Sequence, residues 1–298
     1  MTKRTMLLDT SSLRYRAYSS HPVSMRGRDG RPVNALRGYL DMCATLVGTH
    51  RPVELVHVYD HDWRPAPRVA VYAGYKAKRL PDPEGLPEQF DILRAVLDSL
   101  GLPQAEAPGW EAEDAIGTLC SRGRPEDRFD IVTGDRDLIQ LVRDPLVRVL
   151  FTLKGVRELA VYDEGGVAKK YGVPPSRYSD FAILRGDPSD GLPGVPGVGE
   201  VTARALVLAY PTLDDLLEDA TSERRTGPIL QRSPRLRAAI RDAAGYVRAM
   251  REVVPIRTDL EVQTWSPSPD DARLTELTEM HDLASPLRRL RSAMTAPG

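Results

Sequence analysis

Short groups of acidic residues recur along this sequence, and most of them follow apolar runs or open helix-like segments. The group members are Asp9, Asp60, Glu111, Glu113, Asp114, Asp135, Asp137, Asp187 and Asp190, referred to below as the carboxylate cluster. Carboxylate oxygens are hard ligands that suit Mg²⁺ or Mn²⁺. So many like charges in one cleft would raise one another's pKa unless cations neutralised them. The sequence therefore predicts a site for two or more divalent ions.

The chemistry expected of such a site is metal-assisted hydrolysis of a phosphodiester. Two divalent ions held ~3.5–4 Å apart lower the pKa of an attacking water and neutralise charge on the phosphate and the leaving oxygen.

Each acidic group also has an ordinary explanation when taken alone. Glu111, Glu113 and Asp114 stand where a helix begins, and acids favour the first turn because of the helix dipole. The Asp135-x-Asp137 spacing occurs in phosphatases, glycosyltransferases and simple turns, and aspartates of the Asp187 kind form turns and helix caps. The metal-site hypothesis depends on the fold bringing the groups together.

Three strand-like runs, 5–8, 55–59 and 129–132, are each followed closely by an aspartate and then by helix-like sequence. This is the rhythm of a parallel sheet with crossover helices. The carboxyl ends of parallel strands share one edge, so Asp9, Asp60 and Asp135 are expected to meet there.

Apolar spacing and Pro/Gly punctuation predict the remaining elements. Helices are expected at 35–47, 87–100, 111–120, 164–171 and 176–184, then from Glu200 in a mainly helical stretch to Met250, with a Ser/Pro/Asp-rich link at 262–271 and a last helix at 272–294. The predicted fold class is an α/β parallel-sheet domain at 1–175, followed by a helical domain at 176–298.

Composition is that of an ordinary soluble globular protein, with 41% hydrophobic and 28% charged residues. The amino terminus is too short in apolar residues for a signal peptide or a membrane span, so a cytoplasmic location is expected and no membrane. Cys43 and Cys120 are expected to be reduced core residues.

The net charge of -1 does not itself indicate a nucleic-acid partner, but two stretches are rich in Arg and Lys. They cover 61–80 and 224–257. A solvated helix surface explains either stretch alone, whereas two basic patches beside an acidic centre favour nucleic-acid binding.

Read in order, several segments resemble the 5′-nuclease (flap endonuclease) family, which includes the amino-terminal domain of bacterial DNA polymerase I. They are LLDTSSLRYRAY, VNALRGYL, VHVYD, YAGYKAKR, WEAEDAIGTL, VTGDRDLIQLV and YGVPPSRYSDFAILRGDPSDGLPGVPGVGEVTA, spanning residues 6–203. The resemblance fades after about Leu217. It implies a PIN-like, Rossmann-like nuclease domain with metals on all nine acids of the carboxylate cluster. It also implies a helical arch at 62–85, called the arch segment below, and a helix-three-turn-helix DNA-binding element at about 186–209.

The same regions contain the candidate DNA-binding residues. In the arch segment, Lys76, Lys78 and Arg79 beside Tyr72 and Tyr75 combine phosphate neutralisation with stacking surfaces for unpaired bases.

The expected catalytic cations are Lys76, Arg79 and Arg16, and Arg37 is expected beside the scissile phosphate. Backbone N–H groups of Gly194, Gly197 and Gly199, with Thr202 in the following helix, suit phosphate binding without sequence reading. The resemblance also implies a K⁺ ion held there by backbone carbonyls.

Two positions depart from the family pattern. Glu113 stands where Asp is more usual, which lengthens one ligand by a methylene, and Gly191 stands where Asn is usual, which removes a polar contact beside Asp190.

The expected substrates are nicked, gapped and 5′-flap duplex DNA, and RNA primers are a further candidate. No polymerase domain fits in 298 residues, so a separate polymerase and ligase are expected in the pathway, with the protein at the nucleoid. Two alternatives stay open: a PIN-type ribonuclease, and a non-catalytic module that binds branched DNA.

Overall fold

The computed structural model describes residues 4–222 and 227–296. Its sheet consists of β1 (Thr5–Asp9), β2 (Glu54–Tyr59), β3 (Gln104–Glu106), β4 (Phe129–Thr133), β5 (Val147–Lys154), β6 (Glu158–Tyr162) and β7 (Gln263–Trp265). Its α-helices are α1 (Thr10–Ser20), α2 (Asn34–His50), α3 (Ala66–Val71), α4 (Leu86–Ser99), α5 (Ala112–Ser121), α6 (Glu164–Tyr171), α7 (Tyr178–Arg185), α8 (Glu200–Ala209), α9 (Leu213–Thr221), α10 (Pro228–Arg232), α11 (Pro234–Asp242), α12 (Ala244–Val253), α13 (Asp271–Met280) and α14 (Ala284–Thr295). Short 3₁₀ turns lie at Asp137–Leu141, Pro175–Arg177 and Pro188–Asp190. Among the described residues, no helix has the length and apolar content needed to cross a membrane.

The sheet has the strand order β6-β5-β4-β1-β2-β3-β7. The five central strands are parallel, and β6 and β7 are antiparallel edge strands. After β3 the chain returns to place β4 on the other side of β1, so the direction of winding reverses between β1 and β4. Ligands of open α/β sheets bind at the carboxyl ends of the strands at such a point. Asp9 ends β1 there, as the sequence predicts.

Side chains that alternate along the strands build a core on each face of the sheet. Leu7, Val58 and Ile131 enter the core that continues through α5 into helices α7 to α12. Met6 and Leu8 enter the opposite core, beneath α1, α2, α4, α13 and α14. Both faces of the parallel strands are therefore covered, which explains their continuous apolar composition.

The last part of the chain does not follow its predicted course. The Ser/Pro/Asp-rich link predicted at 262–271 contains β7, which pairs antiparallel with β3. The single helix predicted at 272–294 is two helices, α13 and α14, and both bury leucines in the core of the α/β domain. The division at residue 175 stays a prediction, but residues 263–296 return to the first domain, because β3 offers a free edge and α2 an apolar face.

The arch segment contains only one short helix, α3, of six residues. Turns and irregular backbone follow it up to the start of α4. The expectation of a helical arch therefore holds only for α3. After α3, the arch segment contacts the carboxylate cluster through Tyr75 and Lys76, whereas Lys78 and Arg79 are exposed.

Candidate active site

Three strand ends deliver acids to one cavity, and each acid is tied to a neighbouring element. Asp9 caps α1 by accepting a hydrogen bond from the Ser12 N–H at 3.0 Å, and its other oxygen accepts the Thr133 hydroxyl at 2.6 Å. Asp60 accepts from the Ala112 N–H, at the start of α5, at 2.8 Å. The Thr133 bond joins the ends of β4 and β1, and the Asp60 bond joins the end of β2 to the start of α5.

Two triads of carboxylates have ligand oxygens within 4.8 Å of one another: Glu111, Glu113 and Asp114, and Glu113, Asp135 and Asp137. Glu113 belongs to both triads. The donor set is oxygen only, which fits hard divalent ions, and adjacent triads with one shared member fit a pair of ions. The extra methylene of Glu113 does not remove it from the site.

The cavity at this edge has a volume of about 580 Å³. Its acidic lining consists of Asp9, Asp60, Glu111, Glu113 and Asp135, and its cationic lining of Arg16, Lys76 and Arg79. A cavity lined by both acids and cations suits an anionic substrate that binds through metal ions.

Three further acids of the carboxylate cluster contact neighbouring parts of the chain and are not among the residues that line this cavity. Asp190 Oδ1 is 3.8 Å from the Lys76 ammonium, and the Asp190 carbonyl accepts the Lys76 N–H at 2.9 Å. Asp187 caps its own turn by accepting from Ser189. Asp114 is fully buried and accepts hydrogen bonds from Arg68 and from the Arg257 N–H. The carboxylate oxygens of Asp114 and Asp187 thus mainly accept hydrogen bonds from other groups of the protein.

Arg68 is a residue that the sequence did not single out, although it lies at the centre of the site. Its side chain is 1% exposed, and its guanidinium contacts Glu111 at 2.5 Å, Glu113 at 3.3 Å and Asp114 at 2.8 Å. In the sequence Arg68 is one of several arginines in a basic stretch. Its partners are more than forty residues away, so no local spacing marks it.

Lys76 and Tyr75 also point inward. Lys76 forms an ion pair with Glu111, and the Tyr75 hydroxyl donates to Glu111 at 2.7 Å. Tyr75 is 2% exposed, so the expectation that it offers a stacking surface to bases is wrong. Lys78 is exposed, as a DNA contact requires. Lys76 is buried but borders the cavity, where it neutralises carboxylates.

The two early arginines have different surroundings. Arg16 lines the cavity and forms no ion pair among the described residues, and burial lowers the pKa of its guanidinium. Arg37 instead forms an ion pair with Asp282 at 2.7 Å. Asp282 belongs to the carboxyl-terminal segment that returns to the first domain, and a place for Arg37 beside the scissile phosphate stays a prediction.

The Gly-rich loop before α8 is tightly packed at one glycine and open at the others. Gly194 has a φ of +69°, and a Cβ there would lie 2.5 Å from the Arg185 carbonyl oxygen. Its N–H donates to the Tyr246 hydroxyl at 3.1 Å, so it is not free to bind phosphate as expected. No atom lies within 4 Å of a Cβ built at Gly197 or Gly199, and Gly199 caps α8, whose first turn contains Thr202.

The packing of the arch segment explains why a glycine stands at position 191. It has a φ of +74°, and a Cβ would lie 2.5 Å from the Gly74 carbonyl oxygen. Its own carbonyl accepts from the Tyr72 hydroxyl at 3.3 Å. A side chain at this position would push the arch segment away from the turn at Asp190.

Burial and mutual repulsion raise the pKa of several carboxyls in the cluster. The pKa of Asp9 is raised to about 7, chiefly by burial and also by Asp60 and Asp135, against the hydrogen bond from Thr133. The pKa of Asp190 is raised to about 6, mainly by burial. Burial is also the main cause of the raised pKa values of Glu113 and Asp137. Cations are therefore needed if all these groups are to ionise near neutral pH.

This pKa pattern predicts how Asp9→Asn affects stability in the presence of a chelator. The folded-state pKa of Asp9 lies above its ordinary value of 3.8, so its carboxyl destabilises the fold as pH rises from about 4 through about 7. Asp9→Asn removes this effect, so its free energy of unfolding should exceed the wild type's at pH 8, by at most about 4 kcal/mol. The two should converge near pH 4.

Urea unfolding between pH 4 and 8 in EDTA measures the difference. Parallel curves for the two proteins would contradict the assignment. Adding Mn²⁺ serves as a control, because it should reverse the order at pH 8.

The fold and the site together define an α/β protein with an oxygen-only metal site at the switch point of a parallel sheet. The chain belongs to the 5′-3′ exonuclease family. Residues 4–172 match the model of the 5′-3′ exonuclease N-terminal, resolvase-like domain, and residues 173–280 match that of the C-terminal SAM fold.

Full-length relatives agree with this assignment, and a solved structure shares the fold. A 5′-3′ exonuclease of Streptomyces coelicolor is 42% identical over 98% of this chain and 100% of the relative. One of Mycobacterium tuberculosis is 38% identical over 100% of both chains. The structure of the bacteriophage T5 flap endonuclease in a complex with DNA and metal ions has the same fold, with a TM-score of 0.65, 15% identity, and coverage of 98% of this chain and 97% of that one.

Proposed function

We propose that this protein is a structure-specific 5′ nuclease that hydrolyses DNA phosphodiester bonds at free 5′ ends and 5′ flaps. The observation that carries the proposal is the pair of carboxylate triads joined at Glu113, whose members Glu111, Glu113 and Asp135 line a cavity together with Arg16 and Arg79. Membership of the 5′-3′ exonuclease family supports it.

The metal ligands are the acids that line the cavity, Asp9, Asp60, Glu111, Glu113 and Asp135, with Asp137 from the second triad. Asp114 lies behind them and is bound to Arg68. Mg²⁺ or Mn²⁺ is the ion that an oxygen-only set favours. When bound, such ions supply a lowered pKa for the attacking water and a counter-charge for the phosphate.

The protein's own residues position the substrate. Arg16 and Arg79 line the cavity and have no acidic partner among the described residues, so both guanidinium groups can bind phosphate oxygens. Lys76 balances the charge of Glu111. Arg68, behind them, holds Glu111, Glu113 and Asp114 in fixed positions.

Duplex DNA binds at the second domain in this proposal. The open backbone around Gly197 and Gly199, at the start of α8, grips phosphates by shape rather than by sequence. A K⁺ ion at this loop would add charge for the same contact. Exposed Lys78 contacts the single strand that leaves the duplex.

In this proposal the DNA substrate is selected by the position of its 5′ strand and not by its base sequence. A 5′ strand at a nick, gap or flap reaches the carboxylates easily, whereas a base-paired nucleotide must first unpair at a cost of a few kcal/mol. RNA primers paired to DNA present the same geometry. We place the protein in the cytoplasm at the nucleoid, where a separate polymerase and ligase would follow it.

Product analysis with 5′- and 3′-labelled duplexes tests the proposal. With Mg²⁺ or Mn²⁺, cutting should occur close to the junction of nicked, gapped and flapped DNA, and a bulky 5′ block should reduce the rate more than about tenfold, because the strand can no longer enter. Binding should weaken steeply with salt.

The same assay separates the alternatives. Equal rates of cutting on circular single strands and on free-ended flaps would contradict the proposal. Cutting of RNA alone would indicate a PIN-type ribonuclease. Binding to flaps without any product in either metal would indicate a non-catalytic module.

A further inference from the structure

A tryptophan at the start of the arch segment is exposed at the mouth of the cavity. Trp63 is 44% exposed, whereas the two other tryptophans, Trp110 and Trp265, are partly buried against the hydrophobic cores. It follows Asp60, which lines the cavity, by only three residues. A large aromatic side chain left in solvent beside a catalytic cavity needs an explanation.

The backbone around Trp63 is firmly held, so its exposure is not that of a loose loop. The N–H groups of His61 and Asp62 donate to the Trp110 carbonyl at 3.1 and 3.0 Å. Arg64 donates through its side chain to the carbonyls of Tyr75 and Ala73 at 2.6 and 2.7 Å. Trp63 therefore projects from a fixed position.

Trp63 and Tyr15 contact the same cation. The Arg79 guanidinium carbon lies 5.5 Å from the Trp63 ring centroid and 5.8 Å from the Tyr15 ring centroid. The Tyr15 hydroxyl donates to Asp82, which also pairs with Arg14 at 3.0 Å, so the Tyr15 ring is held in place. Among the described residues, Arg79 has no acidic partner, and it lines the cavity together with Tyr15.

We propose that Trp63, Arg79 and Tyr15 form a binding site for an unpaired nucleobase of the 5′ strand. The base stacks on the exposed surface of Trp63, and Arg79 binds the phosphate attached to it. Aromatic rings stack with any base, and a neighbouring arginine adds cation–π attraction and charge neutralisation. The site rests on the proposed function, because it needs a single strand at the cavity.

The proposed site would supply the stacking surface that Tyr75 does not offer. That ring is buried against Glu111, so the stacking surface that the arch segment lacks there is supplied at its beginning instead. Trp63 holds the base outside the cavity, while Arg79, which contacts Trp63 and lines the cavity, binds the phosphate attached to that base.

The test compares flaps with and without bases. The probe is a duplex with a short 5′ flap whose flap nucleotides are either normal or abasic, and binding is measured in Ca²⁺ with substrate integrity checked on gels. The proteins are the wild type, Trp63→Ala, Trp63→Phe and a control, Val53→Ala. Val53 is 53% exposed and lies just before β2, at the end of the sheet opposite the cavity.

Trp63→Ala should bind the normal flap about tenfold more weakly than the wild type, which is a typical loss for one stacked base. On the abasic flap the two proteins should bind alike. Trp63→Phe should retain most of the affinity, and Val53→Ala all of it. Tryptophan fluorescence should be quenched by the normal flap in the wild type but not in Trp63→Ala.

A similar loss for Trp63→Ala on normal and abasic flaps, or no loss on either, would overturn the site. Cleavage by the wild type in Mg²⁺ is measured in parallel. If the wild type cuts no flap, the proposed function fails; if it cuts flaps and Trp63→Ala still distinguishes normal from abasic flaps, only this inference fails.

Discussion

Replacing Asp135 by asparagine is expected to lower the rate of DNA cleavage by at least about a thousandfold, a barrier increase of about 4 kcal/mol. Asp135 lines the cavity and belongs to the triad with Glu113 and Asp137. An amide keeps the shape of the carboxylate but removes the charge that holds a divalent ion. The loss should therefore be in turnover rather than in folding.

DNA affinity should change little in this variant, or even rise, because the phosphate contacts lie elsewhere and one repulsive charge is gone. Single-turnover cleavage and equilibrium binding on one flap substrate measure the two effects separately. Glu261→Gln, which removes an exposed acid outside the carboxylate cluster, serves as the matched control. Turnover within tenfold of the wild type would remove Asp135 from the metal site.

The parts of the site that follow strands could be predicted because their signals are local. An apolar run and then an aspartate place Asp9, Asp60 and Asp135 at one edge, whichever helices follow. Helix α6 begins at Glu164 and ends at Tyr171, as predicted, and α8 begins at Glu200. In both regions glycines or prolines and helix caps mark the ends within a few residues.

The inward-facing cations could not be predicted in this way. Arg68 and Lys76 read as members of a basic surface stretch, yet both are buried against Glu111, which caps the start of α5. Arg64 donates to backbone carbonyls of its own segment. Only Lys78 and Arg79 are left facing outward. Counting charges along the arch segment thus overestimates the charge available to DNA, because pairing depends on residues far away in sequence.

The carboxyl-terminal return was missed for a similar reason. Gln263–Trp265 is too short for a strand signal, and it forms a strand because β3 has a free edge to pair with. Trp265 then packs near Tyr59, with ring centroids 6.2 Å apart. The same return places Asp282 beside Arg37, an ion pair between residues 245 positions apart that no local pattern could indicate.

Arg68→Ala is expected to lower the free energy of unfolding by about 3–5 kcal/mol in metal-free buffer. The variant leaves Glu111, Glu113 and Asp114 buried without their main counter-charge, and the Lys76 ammonium contacts only the first of them closely. In a protein of this size the melting temperature should fall by about 6–15 °C. Arg68→Lys should recover part of the loss, because it restores the charge but not the forked contacts to two carboxylates.

Divalent ions should restore more stability to this variant than they add to the wild type. An ion that binds Glu111, Glu113 and Asp114 in the wild type must compete with the guanidinium of Arg68 for the same oxygens, whereas in Arg68→Ala it meets only unpaired carboxylates. Stabilisation follows the ratio of ion concentration to dissociation constant. The rise in melting temperature with Mn²⁺ should thus be larger, and begin at lower concentration, in Arg68→Ala, with calorimetry showing tighter binding. Equal rises in both proteins would mean that the ions bind away from Arg68, at the triad of Glu113, Asp135 and Asp137 alone.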